Sequence, residues 1–213
     1  MTQAIDAVDV LVWGGGTGGV AAAIQAARGG ATTLLLTPGS WLGGMVSAAG
    51  VCCPDGNELT PWQTGLWGAF LRELERREPE GLDHNWVSCF GYRPTTAEQI
   101  LQGWVTAEQQ LQWWPQCCLL EVERDGSQIT AVQLELGGQV RRVACRVVID
   151  GSDGGDLLPL AGVPYRFGWE AQEQWGEPSA PSQQRLASDP FFREHPVQSP
   201  TWVVMGQLQG DSL

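Results

Sequence analysis

Lysine is absent from this sequence, and all twelve basic residues are arginine. Set against 24 acidic residues they leave a formal net charge of −12. That balance argues against nucleic acid or an anionic membrane as partner, because both are approached through basic fields. No apolar run is long enough for a membrane span. The opening MTQAIDAVDVLVWGGG lacks a basic region followed by an apolar core and a small-residue cleavage site, so the cytoplasm is the expected compartment. Six cysteines include the adjacent pairs Cys52-Cys53 and Cys117-Cys118 but no C-x-x-C spacing. Neither a zinc site nor a thioredoxin-type pair is indicated, no metal is expected, and the thiols should be reduced. Histidine occurs only at His84 and His195. Both sit in irregular polar stretches, where an exposed loop residue is the better reading than a general base.

What is present is a chain of 213 residues, 43% hydrophobic, enough for one sizeable core and part of a second. Val8–Trp13 (VDVLVW) is a short β-branched run of the kind found in buried parallel strands. GGGTGG follows, and then VAAAIQAARGG, an Ala-rich helix that Gly29-Gly30 should stop. ATTLLLT is the next strand, which completes a β-turn-α-β unit. The Gly/Pro-rich stretch 38–61 is too long for an idle loop. Leu66, Phe70, Leu71 and Leu74 then fall at helical spacing. Residues 79–94 read as irregular, and TTAEQILQGWVTAEQQLQWW as one helix capped by Thr95 or Thr96. ITAVQLEL and VRRVACRVVI alternate, with turns at Asp125-Gly126 and Gly137-Gly138, predicting three antiparallel strands that return to a buried strand RVVID. After Gly168 the chain reads as polar loop, closing on a strand candidate, TWVVMGQLQGDSL.

Gly14-x-Gly16-x-x-Gly19 lies between a predicted strand and a predicted helix, the context in which this spacing carries meaning. The first glycine permits a tight turn, the second lets backbone approach a pyrophosphate, and the third lets helix lie close to strand. From there the resemblance becomes specific. The N-terminal segment through WLGG (Trp41–Gly44), Gly50-Val51 and Pro54-Asp55 resembles the FAD-dependent oxidoreductases with a glutathione-reductase-like FAD domain. VVIDGSDGGDLLPLAGVPYRFGWEA, Val147–Ala171, resembles that family's second signature. The resemblance implies an α/β fold: a Rossmann-like, three-layer FAD/NAD(P)-binding domain with a small antiparallel β-meander and an incomplete second domain. The FAD domain would span 1–165, with an insertion at about 51–94, and 166–213 would begin a substrate or cap domain.

The resemblance also implies a cofactor, FAD, and a set of residues to bind it. Gly14, Gly16 and Gly19, with Thr17 and Gly18 between them, would face the pyrophosphate. Gly43, Gly44 and Met45 would lie on the path toward the flavin, and Leu119 would meet the adenine through its backbone. Asp150, Gly151, Ser152 and Asp153 would form the second turn, with Gly155 and Asp156 just beyond. Two departures stand out: Gly151-Ser152-Asp153 replaces the usual Ala-Thr-Gly, and Thr37 stands where a carboxylate usually holds the ribose. If Thr37 still reached a ribose hydroxyl, the loss would be on the order of 1 kcal/mol, several-fold in Kd.

No catalytic residue can be named from this portion. Cys52 and Cys53 follow the segment expected near the flavin, but small apolar residues filling a turn is the favoured reading. Trp104 and Trp113-Trp114 read as core on a helical face. Members of the resembled family are longer, and their C-terminal part helps enclose the flavin. The expectation is therefore an FAD-dependent oxidoreductase acting on an unidentified small molecule, with the ADP half of its site largely present and the flavin half unfinished. The alternative is a non-catalytic nucleotide-binding remnant, or one partner of a split oxidoreductase completed by a second chain.

Overall fold

The computed structural model describes residues 6–54, 63–78, 83–85, 88–199 and 203. The β-turn-α-β unit forms as expected. Strand β1 (Ala7–Trp13) leads into helix α1 (Thr17–Arg28), and β2 (Thr33–Leu36) pairs parallel to β1, with Trp13 opposite Leu36. Gly29 closes α1, and Gly30 takes φ 90° to turn the chain back, a conformation an L side chain resists. Leu34, Leu35 and Leu36 are completely buried, each contributing about 1.5–3 kcal/mol by leaving water. Such two-faced burial is why β2 reads as a continuous apolar run rather than an alternating one.

Helix α2 (Gly65–Arg77) buries Phe70, Leu71 and Leu74, the stripe its spacing predicts. Residues expected to be irregular contain a short antiparallel pair, β3 (Asp83–Asn85) and β4 (Ser88–Gly91). Helix α3 (Pro94–Ala107) starts one residue before Thr95, with Arg93 at the N-cap and Pro94 in the first turn, where a missing N–H costs nothing. It also ends earlier than expected. Leu111–Trp114 is a strand, β5, paired parallel with Thr33–Leu36. The helical pattern of Leu111 and Trp114 loses to the backbone hydrogen bonds offered by the open edge of β2, and the placement of Trp113-Trp114 on a helical face is corrected accordingly.

Strands β6 (Cys117–Asp125), β7 (Gln128–Leu136) and β8 (Gln139–Asp150) form the antiparallel meander. VRRVAC and RVVID are one continuous strand instead of two. The first half of β8 pairs with β7 up to Ala144, and the second half runs parallel to β1 as far as Trp13–Asp150. The six-stranded order is β5-β2-β1-β8-β7-β6. One apolar cluster lies between the sheet and α1, α2 and α3, joining Val12, Ile24, Leu35, Phe70 and Ile100. A second occupies the opposite face and joins Leu34, Leu36 and Trp114 to Val132, Leu134 and Val143 of the meander. A mixed α/β architecture with a nucleotide-binding type of sheet is thus the fold.

Helix α4 (Leu157–Leu160) follows β8. The chain divides into two compact units, with the boundary between Gly162 and Val163. The second unit is helical where polar loop was expected: α5 (Gln172–Trp175), α6 (Gln183–Ser188) and α7 (Pro190–Glu194). Ser182 accepts the Arg185 N–H and Asp189 the Phe191 N–H, side-chain caps that helices this short depend on. Its core is aromatic, with Trp169 edge-on to Phe192 at 5.2 Å and its indole N–H on the His195 carbonyl at 2.7 Å. The imidazole of His195 is exposed and rests against Phe191. Of the closing strand candidate, all but Val203 lies outside the described residues. Among the described residues, no helix is long and apolar enough to cross a membrane.

Candidate functional site

Four parallel strands end in one row. Trp114 lies beside Leu36, Leu36 beside Trp13, and Trp13 beside Asp150. The loops that follow all leave from the carboxyl edge of the sheet, where open α/β sheets place their ligands. The glycine turn and the turn after β8 pack backbone to backbone. A Cβ on Gly14 would lie 2.4 Å from the Gly151 carbonyl carbon, and one on Gly151 2.6 Å from Gly19 Cα. A Cβ on Gly19 would lie 2.1 Å from the Gly14 oxygen. Gly14 also holds φ 107°. The glycines expected to face the diphosphate therefore divide. Gly14 and Gly19 are buried and serve the contact between turns, whereas Gly16 is partly open and Thr17 and Gly18 are exposed.

Gly16 begins α1 with no side-chain cap and no acidic residue in the first turn. Its leading N–H groups and the positive end of the helix dipole are left without a side-chain partner of their own. Gly43 and Gly44 run alongside. The Gly43 N–H donates to the Gly15 carbonyl at 2.7 Å, and Gly16 and Gly43 form an isolated parallel bridge. Gly44 sits so close that a Cβ would lie 3.1 Å from Gly16 Cα. Met45, in the following 3-10 turn (Gly44–Val46), is 64% exposed. Beneath this strap, Ser47 Oγ donates to the Leu42 carbonyl at 2.5 Å and Glu98 of α3 accepts the Leu42 N–H. Burial pushes the Glu98 carboxyl up, and its Oε1 is buried without a partner.

The second turn is organised by its own acids. Asp150 Oδ1 accepts the N–H and the hydroxyl of Ser152 at 3.0 and 2.6 Å, while Oδ2 accepts the Leu157 N–H at 2.9 Å. Asp156 accepts the indole N–H of Trp13 at 2.8 Å, and its own N–H donates to Ser152 Oγ at 2.9 Å. Asp150, Ser152 and Asp156 thus fix the loop, and Gly155, at φ 68°, lets it fold back. Asp153 is exposed, with Oδ1 3.6 Å from where a Gly16 Cβ would be. A carboxylate at that spot opposes an anion on the same turn.

Thr37 is turned inward. It is 1% exposed, its hydroxyl donates to the Gly39 carbonyl at 2.7 Å, and it accepts the Trp113 indole N–H at 3.0 Å. Leu119 is partly buried in β6, two residues beyond Cys117, whose N–H bonds the Thr37 carbonyl. Cys52 is 1% exposed, and burial, with smaller effects from Cys53 and Glu78, pushes its thiol up to about 12. That is the character of a packing residue rather than of a nucleophile. An apolar cleft of about 170 Å³ lies between α1, α2 and α3, walled by Val20, Ile24, Leu66, Phe70 and Trp104. It suits apolar contact, not a diphosphate. Trp113 was read as core on a helical face, and its hydrogen bond to Thr37 was hidden by that misread helix; nothing in the local pattern marks Glu98.

The family profile described as FAD dependent oxidoreductase matches residues 9–211. The chain belongs to this family. No curated protein matches it by sequence. Among solved structures it is similar in fold to AlpK, at TM-score 0.56 and 17% identity, covering 77% of this chain and 35% of that one. The anhydrotetracycline hydroxylase OxyS from Streptomyces rimosus gives TM-score 0.56 and 15% identity, with 77% and 35% covered. The flavin-dependent brominase Bmp2 gives 0.55 and 15%, with 77% and 42% covered. This chain thus spans less than half the length of each structure. FAD is the cofactor of the family, and the residues around α1 fit its diphosphate. They comprise an uncapped helix start and a paired glycine strap, with the Asp153 carboxylate as the one opposing group described. The β2 end fits the ribose poorly.

Proposed function

We propose that this chain holds the ADP half of FAD for a flavin-dependent oxidoreductase acting on a small molecule. The observation that carries this reading is the uncapped start of α1, open at Gly16–Gly18 and flanked by Gly43-Gly44 on one side and Gly151–Asp153 on the other. Backbone N–H groups at Gly16, Thr17 and Gly18 would hold the diphosphate. Gly43, Gly44 and Met45 would carry the cofactor away from it, and β6 at Leu119 would border the adenine. Gly14, Gly19 and Gly151 would act by keeping the two turns in contact, and Asp150, Ser152 and Asp156 by fixing the second turn. When bound, FAD supplies the hydride and electron transfer, while the protein orients it and excludes water. The unit Val163–Trp202 is read as the beginning of the substrate-side domain.

A second reading is favoured by the limited coverage of the solved structures. The chain would be one part of a two-part oxidoreductase, with the flavin side enclosed by a second polypeptide. One experiment tests the shared core of both. The purified chain is titrated with FAD, following flavin fluorescence and the melting temperature. Saturable binding that raises the melting temperature is expected, and a chain that neither retains nor takes up FAD would overturn both. Turnover that appears only when a second chain is added would select the two-part reading.

A further inference from the structure

Thr37, at the end of β2, is closed to any ligand. Each polar atom of Thr37 is used within the protein. Its N–H donates to the Trp114 carbonyl at 3.1 Å, and its carbonyl accepts the Cys117 N–H at 2.9 Å. The single hydroxyl proton goes to Gly39, and the indole N–H of Trp113 donates to the same oxygen. On the remaining side the methyl group packs beneath the glycine turn, 2.8 Å from the position a Gly15 Cβ would take. The residue is 1% exposed. Within Thr37–Met45 no acidic, basic or histidine residue replaces it as a charge, and the Arg141 guanidinium is held over the Trp114 ring, 5.6 Å from its centroid.

A carboxylate at this point of a dinucleotide fold has two effects. It accepts the ribose hydroxyls, and by like charge it disfavours a 2′-phosphate. A buried hydroxyl with both partners inside the protein can do neither. We propose that the β2 end of this site does not read the adenosine ribose, and that Trp113, by locking Thr37 inward, leaves the site indifferent to a hydroxyl or a phosphate at the 2′ position. The ligand class is therefore ADP derivatives and adenine dinucleotides in general, selected by their diphosphate. The inference rests on the reading that the start of α1 holds that diphosphate.

The test uses the whole chain and two ligands that differ by one phosphate, ADP-ribose and 2′-phospho-ADP-ribose, each titrated by calorimetry beside FAD. The two affinities are expected to agree within about threefold. A preference of about tenfold or more for either ligand, or failure of both to bind while FAD binds, overturns the inference. If FAD also fails to bind, the proposed function falls with it, so the two failures are distinguishable. Thr37→Val and Trp113→Phe supply a second measurement. Both should lower the melting temperature, because an internal hydrogen bond is lost, yet leave the FAD Kd within about threefold of the parent. A loss of about tenfold in FAD affinity in Thr37→Val, with the melting temperature nearly unchanged, would show that the hydroxyl reads the ligand and would refute the proposal.

Discussion

Two alanine substitutions four residues apart should have opposite signs. In Gly14→Ala the new Cβ arrives 2.4 Å from a backbone carbon of Gly151, at φ 107°. Neither neighbour is the end of a flexible side chain, so one turn has to move. Holding an L residue in that conformation costs about 1–3 kcal/mol, and forcing the two turns apart costs about 1–3 more. The sum, roughly 2–6 kcal/mol, is a large part of a typical stability of about 5–15 kcal/mol. In Gly18→Ala the added methyl meets nothing within 4 Å, and the residue lies in the first turn of α1. Alanine there narrows the unfolded ensemble and should stabilise the fold by about 0.4–1 kcal/mol. Urea denaturation followed by circular dichroism compares the midpoints at constant slope. If Gly14→Ala is no less stable than Gly18→Ala, the turn-on-turn packing described above is wrong.

Three further outcomes are expected. Site-resolved alkylation at pH 8 should modify the exposed Cys118 quickly and the buried Cys52 only after unfolding; equal rates would refute the packing role of Cys52. Burial acts to raise the Glu78 carboxyl, but hydrogen bonds from Thr96 and Arg93 outweigh it and hold it below 4.5. Its contribution is therefore present above that value and lost as pH falls through the lowered one. Glu78→Gln should cost about 1–2 kcal/mol at pH 7, discounted for the exposure of Arg93, and should flatten the acid limb of the stability profile. Asp153→Asn should tighten FAD about two- to fivefold at low salt, with the gain shrinking as salt rises; a salt-independent effect would show that charge is not the cause.

The legible parts of this molecule were those in which local pattern and tertiary demand agree. Leu34–Leu36 are buried on both faces and look it, and α2 shows its stripe at Phe70, Leu71 and Leu74. The glycine turn was legible as a strand-to-helix turn because its spacing fell between Trp13 and the Ala-rich stretch. Leu111–Trp114 misled because its spacing continues that of α3, and only the vacant edge of β2 makes it a strand. The inward turn of Thr37 was hidden for the same reason, since its partner Trp113 lies on that strand. Of the short helices after Gly168, α6 and α7 depend on Ser182 and Asp189 as caps, signals weak enough to pass for loop. Spacing alone could not say that Gly14 packs against the Gly151 backbone while Gly16 stays partly open.

Strand β8 serves as a common rail. Its first half is stitched to the meander and its second half to β1, without a break at Ala144. A slip of one residue anywhere along it would move Asp150 by about 3.3 Å and turn its side chain to the opposite face. The Ser152 and Leu157 amides would lose their anchor at the same moment. Extra residues inserted at Gly137-Gly138 should be absorbed by the hairpin, whereas a single residue inserted at Arg146 would misplace the loop against which Gly14 rests. An error made in the second half of β8 is thereby delivered to the turn beside the start of α1.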